Sequence, residues 1–519
     1  IQVIPLFQSA TITPMPAIDL GKDGIQAKVM GVDEWSALPF LAMADGRVLF
    51  VPANESGVAA QLQADLAGAT ATAIRYQQRP QKLIYGLNDG RIALVEVGYE
   101  SVPVGRKPQV TANLKTAGLY QLGQEGQPIT DVDYADEGSR KLVAGIQAVA
   151  GKPHLVAMPL TQSRGLGGAG KVKAGDAVDL TETIKSTPVL VRVNDQASAI
   201  LVADEHGRVH YIKRTDEDFS LRQTFKPFPA DDETVATMDF IFGGVSLVLT
   251  STKGACVIYT IFMSDTEGEL LFSQTKELPS LAGGATVFAP SLRNKAFLVA
   301  HDQEVALRYA TTAGTRWEGT IGAPARMAVL SGKYDQMLVL DNAGRLERFA
   351  LHDPHPEAGI RAFFGKLWYE GNAAPSYDWQ STGGTDDYEP KLSMIPLIIG
   401  SLKGTLYAML FATPIALLAA LYTSQFQHPR FRSYVKPTME VMASLPSVVL
   451  GFLAALWLAP MIENKVPAII CFLVLAPLSA FGVGWLWSNL PMRFRWWCKP
   501  GYEFLLLIPM VLVLVGLAD

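Results

Sequence analysis

Apolar stretches with strand-like alternation recur through roughly the first 350 residues, each joined to the next by a short polar turn. Four are close copies: FLAMADGRVLFVPA (40–53), LIYGLNDGRIALVEV (83–97), AILVADEHGRVHYIKR (199–214) and DQMLVLDNAGRLERFA (335–350). In each, an apolar run reaches a tight turn ending in Gly-Arg, and an alternating run follows. Glycine supplies the positive φ that short hairpin turns demand, and Asp or Asn tolerates it next best. Three weaker copies, LVAGIQAVAGKPHLVAMPL (142–160), VSLVLTSTKGACVIYTI (245–261) and AFLVAHDQEVALRYA (296–310), fill the gaps. Seven hairpins at this spacing, about 40 to 60 residues, suit a four-stranded propeller blade better than the shorter solenoid repeats. The pattern predicts an all-β propeller over 20–352. Seven blades are preferred, and six or eight fit the same period. Two stacked β-sandwiches would give no reason for one turn to recur. A propeller closes into a ring, so its first and last strands lie side by side. Such a domain can be inserted in a loop without parting the flanking segments.

Beyond residue 391 the pattern changes to four apolar segments, 395–422, 441–461, 466–488 and 503–518. The first three are long enough to span a bilayer at about 1.5 Å per residue. The last contains FLLLIPMVLVLVGLA (504–518). As a helix this run covers about 22 Å, short of a roughly 30 Å hydrocarbon core. It and the apolar stub within 1–10 are expected to be the ends of truncated membrane helices. The expected organisation is therefore a helix end at 1–10, the propeller at 20–352, a linker or interfacial segment at 353–391, and a transmembrane α-helical domain at 392–519, incomplete at its C-terminus. Arg430, Arg432 and Lys436 lie in one connecting loop (424–437), and Arg493, Arg495 and Lys499 in another (489–502). The positive-inside rule puts both in the cytoplasm and the propeller outside. In a bacterial inner membrane, outside means the periplasm.

Passive anchors do not need interruptions, yet Pro414, Pro446, Pro477 and Pro509 each fall within an apolar segment, and Gly451 follows Pro446. Each proline removes a backbone hydrogen bond, which is tolerable only where neighbours, water or local re-pairing satisfies the freed carbonyl. Broken helices recur beside transport pathways, although proline is also simply commoner in membrane helices. Lys403 stands about two turns into the first segment, where it either costs about 2.5–3.5 kcal/mol at the bilayer centre or snorkels to the headgroups.

Charge sharpens the division. The net charge is −5, but residues 392–519 carry +4 and the first 391 carry −9, which gives no pull toward nucleic acid. The three cysteines, Cys256, Cys471 and Cys498, have no metal-ligand spacing, and Cys256 is alone in the propeller region. The seven histidines are scattered, so no metal site is expected. GLGGAGKV (165–172) matches the phosphate-binding loop G-x-x-x-x-G-K until Val172 replaces the required Ser or Thr, and no long helix follows. It is read as a flexible glycine-rich surface loop, without nucleotide.

Three stretches then carry a resemblance: LWYEGNAAPSYDW (367–379), YEPKLSMIPLIIGSLKGTLYAMLFATPIALLAALYTSQF (388–426) and HPRFRSYVKPTMEVMASLPSVVLGFLAALWLAP (428–460). Together they resemble the PstC-type permease of the phosphate-specific ABC importer, in the long form with a large domain between its first two membrane helices. The resemblance implies a membrane subunit, not an enzyme. It implies that the helix carrying Pro446 and Ser447 packs in the core lining the translocation route, with Gly451 allowing close helix approach. Lys403 and Pro414 join these as candidates on the first segment, and Glu440 is read as a structural residue at the cytoplasmic start of the second. The partners implied are a second permease subunit, ATPase subunits, a periplasmic phosphate-binding protein and membrane lipid. ATP would be bound by a partner, with no cofactor in this chain. One departure is plain: the Glu-Ala-Ala…Gly loop that docks the ATPase is not present, and it is expected beyond residue 519. Segments 466–488 and 503–518 do not align with that family and are read as an insertion. Two other classes compete: a membrane-tethered propeller acting as a partner-binding or signalling protein, and a propeller-bearing membrane dehydrogenase. The second lacks clustered cofactor ligands.

Overall fold

The computed structural model describes residues 4–489, apart from 34–37, 53–57, 105–106, 139, 166–167, 216–217, 265–267, 282, 386, 445 and 464, together with 491, 508 and 509. The apolar segment 503–518 and the basic loop at 493–499 therefore lie outside the described residues, 508 and 509 excepted. Two compact units emerge, 1–399 and 400–519.

The first unit is a seven-bladed β-propeller. Its antiparallel sheets, four-stranded except that the third gains the short strand Val178–Asp179, occupy 29–63, 71–121, 129–179, 188–225, 235–278, 287–320 and 325–352. Every hairpin read from the sequence is the middle pair of strands in one blade, as in Lys82–Leu87 with Arg91–Val104. These middle strands are buried on both faces because each blade packs against two neighbours. Leu83, Ile84, Leu94 and Val95 of the second blade are all nearly inaccessible. Side chains of this kind contribute about 1.5–3 kcal/mol each when fully buried, so the between-blade layers carry the stability.

The recurring turn has a physical basis. Asp45 accepts the Arg47 N–H (3.1 Å) and pairs with its Nε (2.7 Å), and Asp89 treats Arg91 in the same way (3.1 and 2.7 Å). Asp204 does so for Arg208 at 2.8 Å in both contacts. In the last blade Asp341 accepts the Arg345 N–H at 2.8 Å, while that guanidinium turns to Glu347. Gly46 and Gly90, both at φ +86°, supply the left-handed residue between the partners. Burial alone would raise the Asp89 carboxyl, but hydrogen bonds and charge from Arg91 outweigh it and hold the group below its ordinary range.

The ring is closed by a strand that the hairpin pattern leaves out. Thr11–Asp19 pairs antiparallel with Arg345–His352, from Thr11 opposite His352 to Asp19 opposite Arg345, as the outer strand of the seventh blade. It precedes the expected start at residue 20 and carries Pro14 and Pro16. An outer strand tolerates proline because its free edge needs no donor. The glycine-rich stretch also differs from the loop expected. Lys152–Gly165 and Gly168–Ala174 form a hairpin with Gly165 opposite Gly168, since the ladder at a blade edge is made by backbone and needs no side chains.

From Ile395 the described chain is helical: Ile395–Leu421 continuing through Tyr422–Phe426, then Pro429–Ser444, Ser447–Leu453, Ala454–Leu458, Ala459–Glu463 and Val466–Asn489. Among the described residues, two helices, Ile395–Phe426 and Val466–Asn489, are long and apolar enough to cross a membrane, or three if the bent pair Pro429–Ser444 and Ser447–Glu463 counts as one span. This corrects the reading of 441–461 as one segment. Residues 441–444 end the preceding helix, and the chain turns by 90° before Ser447. Pro446 has no backbone N–H to donate, so it cannot continue the hydrogen-bond ladder of the preceding helix. Glu440 thus lies in the last turn of Pro429–Ser444 rather than at a helix start. Proline alone does not decide the matter, because Pro414, Pro437 and Pro477 all sit inside continuous helices.

Candidate functional site

Three of the five residues singled out from the sequence come together at the break. Pro446 is extended (φ −60°, ψ 124°) and caps the helix that Ser447 begins, where the N–H groups of Val449 and Leu450 reach the Pro446 carbonyl at 3.0 and 3.2 Å. On the other side the Ser444 hydroxyl donates to the Val441 carbonyl at 2.7 Å, within its own helix. Gly451 lies in the first turns after the break, and among the described residues nothing beyond its own helix backbone would meet a Cβ there within 4 Å. Lys403 and Pro414 are on the other helix, Ile395–Leu421, about 16 Å apart along its axis at ~1.5 Å per residue. Pro414 does not interrupt that helix. The Lys403 ammonium lies 5.7 Å from the centre of the Tyr407 ring, one turn away, a favourable cation–π geometry.

The propeller holds polar groups that the sequence reading missed. Its innermost strands line an axial cavity of about 1440 Å³. There the Arg75 Nε lies 3.0 Å from Asp133, and its other nitrogen pairs with Asp239, so one side chain links three blades. The second oxygen of Asp133 accepts the Val193 N–H at 2.8 Å, and Asp131 accepts that of Val191 at 2.9 Å while pairing with Arg192 at 3.0 Å. Burial pushes the Asp133 carboxyl up against the pull of Arg75 and Arg192. Asp195 is pushed up to about 6, first by burial and then by the nearby Asp133 and Asp239, with Arg79 opposing. The cluster binds blades together and lines a polar cavity. Its signal, DVDYAD (131–136), becomes meaningful only once the first strand of each blade is known to face the axis. Among the described residues, no three His, Cys, Asp or Glu side chains are placed to hold a metal ion.

The chain leaving the propeller is latched by buried charge. Lys295, from the sixth blade, donates to Glu370 at 2.6 Å and to the Phe242 carbonyl at 2.6 Å. The Ser246 hydroxyl donates to the other Glu370 oxygen at 2.6 Å. Glu389 accepts the Glu370 N–H at 2.7 Å and the Thr311 hydroxyl. The stretch 366–394 is thereby tied to the fifth and sixth blades, ending at the first membrane helix.

No protein-family model matches the chain. The probable ABC transporter permease protein YqgH of Bacillus subtilis is 30% identical over 89 residues, 17% of this chain and 28% of that protein. The phosphate transport system permease protein PstC 1 of Mycobacterium tuberculosis is 27% identical over 159 residues, 30% of this chain and 43% of that protein. The PstC 1 of Mycobacterium bovis matches to the same extent. The chain thus spans less than half the length of the curated relatives it matches. The similarity is to ABC transporter permeases, partial and weak. Among solved structures, the β-propeller domain of Cps50 (Swd1) from Myceliophteria thermophila superposes on 66% of this chain and 100% of that one, with TM-score 0.46 and 10% identity.

Proposed function

We propose that this chain is a membrane subunit of an ATP-driven importer for phosphate or a related oxyanion, carrying a propeller on the periplasmic side of the bacterial inner membrane. The observation that carries the reading is the partial similarity to ABC permeases, two of which bear the phosphate-transport name. It is supported by apolar helices long enough to span and by the break at Pro446. In this reading Pro446 and Ser447 form a polar break in the core lining the route. Gly451 is where a helix of the second permease subunit comes close, and Lys403 and Pro414 complete the outer half of the path. The chain hydrolyses nothing itself: ATPase subunits bind ATP, and a periplasmic phosphate-binding protein delivers the anion. The propeller region, at −9, is poorly suited to gathering a free anion, so its role is protein recognition. The reading is tested by phosphate uptake in a strain deleted for this locus. Uptake is expected to fall and to return with the intact gene; unchanged uptake of phosphate, arsenate and sulfate would refute the reading.

A further inference from the structure

We infer that the propeller rests on the outer lipid surface through an apolar collar built where the chain enters and leaves it. The collar's centre is the short helix Ile360–Phe364. Met394, the residue before the first membrane helix, donates its N–H to the Phe363 carbonyl at 2.8 Å. From the other end of the ring, Phe7 meets the Phe363 ring edge-on at 5.5 Å between centroids. Trp379 pairs with Leu392, and Ser393 donates to the Asp378 carbonyl at 3.0 Å. Four separate stretches of chain are thus gathered at the root of one membrane helix.

What they leave exposed is apolar. Ile360 is 71% exposed and Phe364, one turn on, 48%, while Ala362 and Phe363 between them are buried. Ile4, Phe7, Trp379 and Met394 are also exposed. Arg361 and Lys366 lie exposed beside them, suited to anionic headgroups. Aromatic side chains with apolar bodies and cationic neighbours are what the membrane–water boundary selects.

Lipid is favoured over a protein cover by the level at which the collar sits. The inference rests on reading Ile395–Phe426 as a membrane span. That helix is about 48 Å long at ~1.5 Å per residue, longer than a roughly 30 Å hydrocarbon core, so part of it lies outside the core. The span begins at Ile395, directly after Met394, the residue bonded to the collar. Ile395 and everything bonded to Met394 then sit in the headgroup layer. The collar faces lipid because its hydrogen bonds to the helix root hold it there.

The test uses the full chain in proteoliposomes, its cysteines replaced and a nitroxide placed singly at positions 360, 364, 410 and 231. Collisions with oxygen, which concentrates in lipid, are compared with those of a water-soluble nickel chelate. Oxygen should dominate at 410, modestly at 360 and 364, and the chelate should dominate at 231, on an exposed turn of the propeller. Chelate dominance at 360 and 364 with oxygen dominance at 410 overturns the collar and leaves the span intact. Shielding from both reagents at 360 and 364 also overturns it, by showing a protein cover. Chelate dominance at 410 overturns the span, and the collar with it. The label at 231 reports retention of the fold in every sample, through the spectrum of its ordered turn.

Discussion

Replacing Lys295 with Met tests the latch that ties the helix root to the propeller. The Lys295 side chain is 1% exposed and its partner Glu370 is 11% exposed. Met fills most of the same volume, so the perturbation is chiefly the stranding of a buried carboxylate beside a second one, Glu389. Breaking a buried pair from one side costs about 3–5 kcal/mol. That is about two to three and a half powers of ten in the opening equilibrium, at tenfold per ~1.4 kcal/mol. Peptide-level hydrogen exchange across 366–394 reads this directly, because Leu367 and Ser376 exchange backbone hydrogen bonds at 3.1 and 2.8 Å. The effect should depend on pH. Burial, with Glu389 adding to it, raises the Glu370 carboxyl, while Lys295 and Ser246 pull it down. A carboxyl raised on folding binds more protons folded than unfolded, so its contribution to stability falls as pH rises above its unfolded value. Without Lys295 the group rises further. The loss should then be largest near pH 8 and partly relieved near pH 5, where Glu370 takes up a proton; adding Glu370→Gln should restore more than half of it at pH 8. Protection within threefold of wild type, or a loss independent of pH, would refute the reasoning.

Four other outcomes are expected. A fragment of residues 8–358 should melt cooperatively, and one of 20–352 should not, because the latter lacks the strand Thr11–Asp19 that closes the ring; equal melting temperatures would show that closure matters little. Asp204 is held below the ordinary carboxylate range: burial pushes it up, but the hydrogen bonds of Arg208, His210 and Ser186 prevail. Its stabilisation exists above about pH 4 and is lost as pH falls through its lowered value, so Asp204→Asn should cost about 1–3 kcal/mol at pH 7 and progressively less as the pH is taken down through that value, measured by urea titration. Gly451→Leu has open space within its own chain and should reach the membrane in normal amount yet block uptake, whereas normal uptake would make this face lipid-exposed. A single cysteine at position 430 should resist an impermeant thiol reagent added from the periplasm while one at 89 labels; labelling at 430 would reverse the orientation.

The repeat was legible because a two-residue signal, Gly-Arg after Asp or Asn, carries both the φ requirement and the side-chain lock of the turn. Four such hairpins, with three weaker copies filling the gaps, leave a ring of blades as the economical arrangement. The apolar segments 395–422 and 466–488 were legible for a similar reason, since spanning length is set by composition over some twenty residues. Neither inference needs to know which residues meet across the fold. The closing strand, the axial Arg75–Asp133–Asp239 cluster and the Lys295–Glu370 latch all do. Thr11 and His352 are strand partners separated by almost the whole ring, and Lys295 finds Glu370 across 75 residues. No local pattern encodes such distances, because any of the chain's acidic residues would serve as well in sequence. The bend at Pro446 is intermediate. The proline announces a break, but equally visible prolines at 414, 437 and 477 are absorbed into continuous helices. Which proline bends a helix is decided by what can satisfy the freed carbonyl, and only the assembled surroundings supply that.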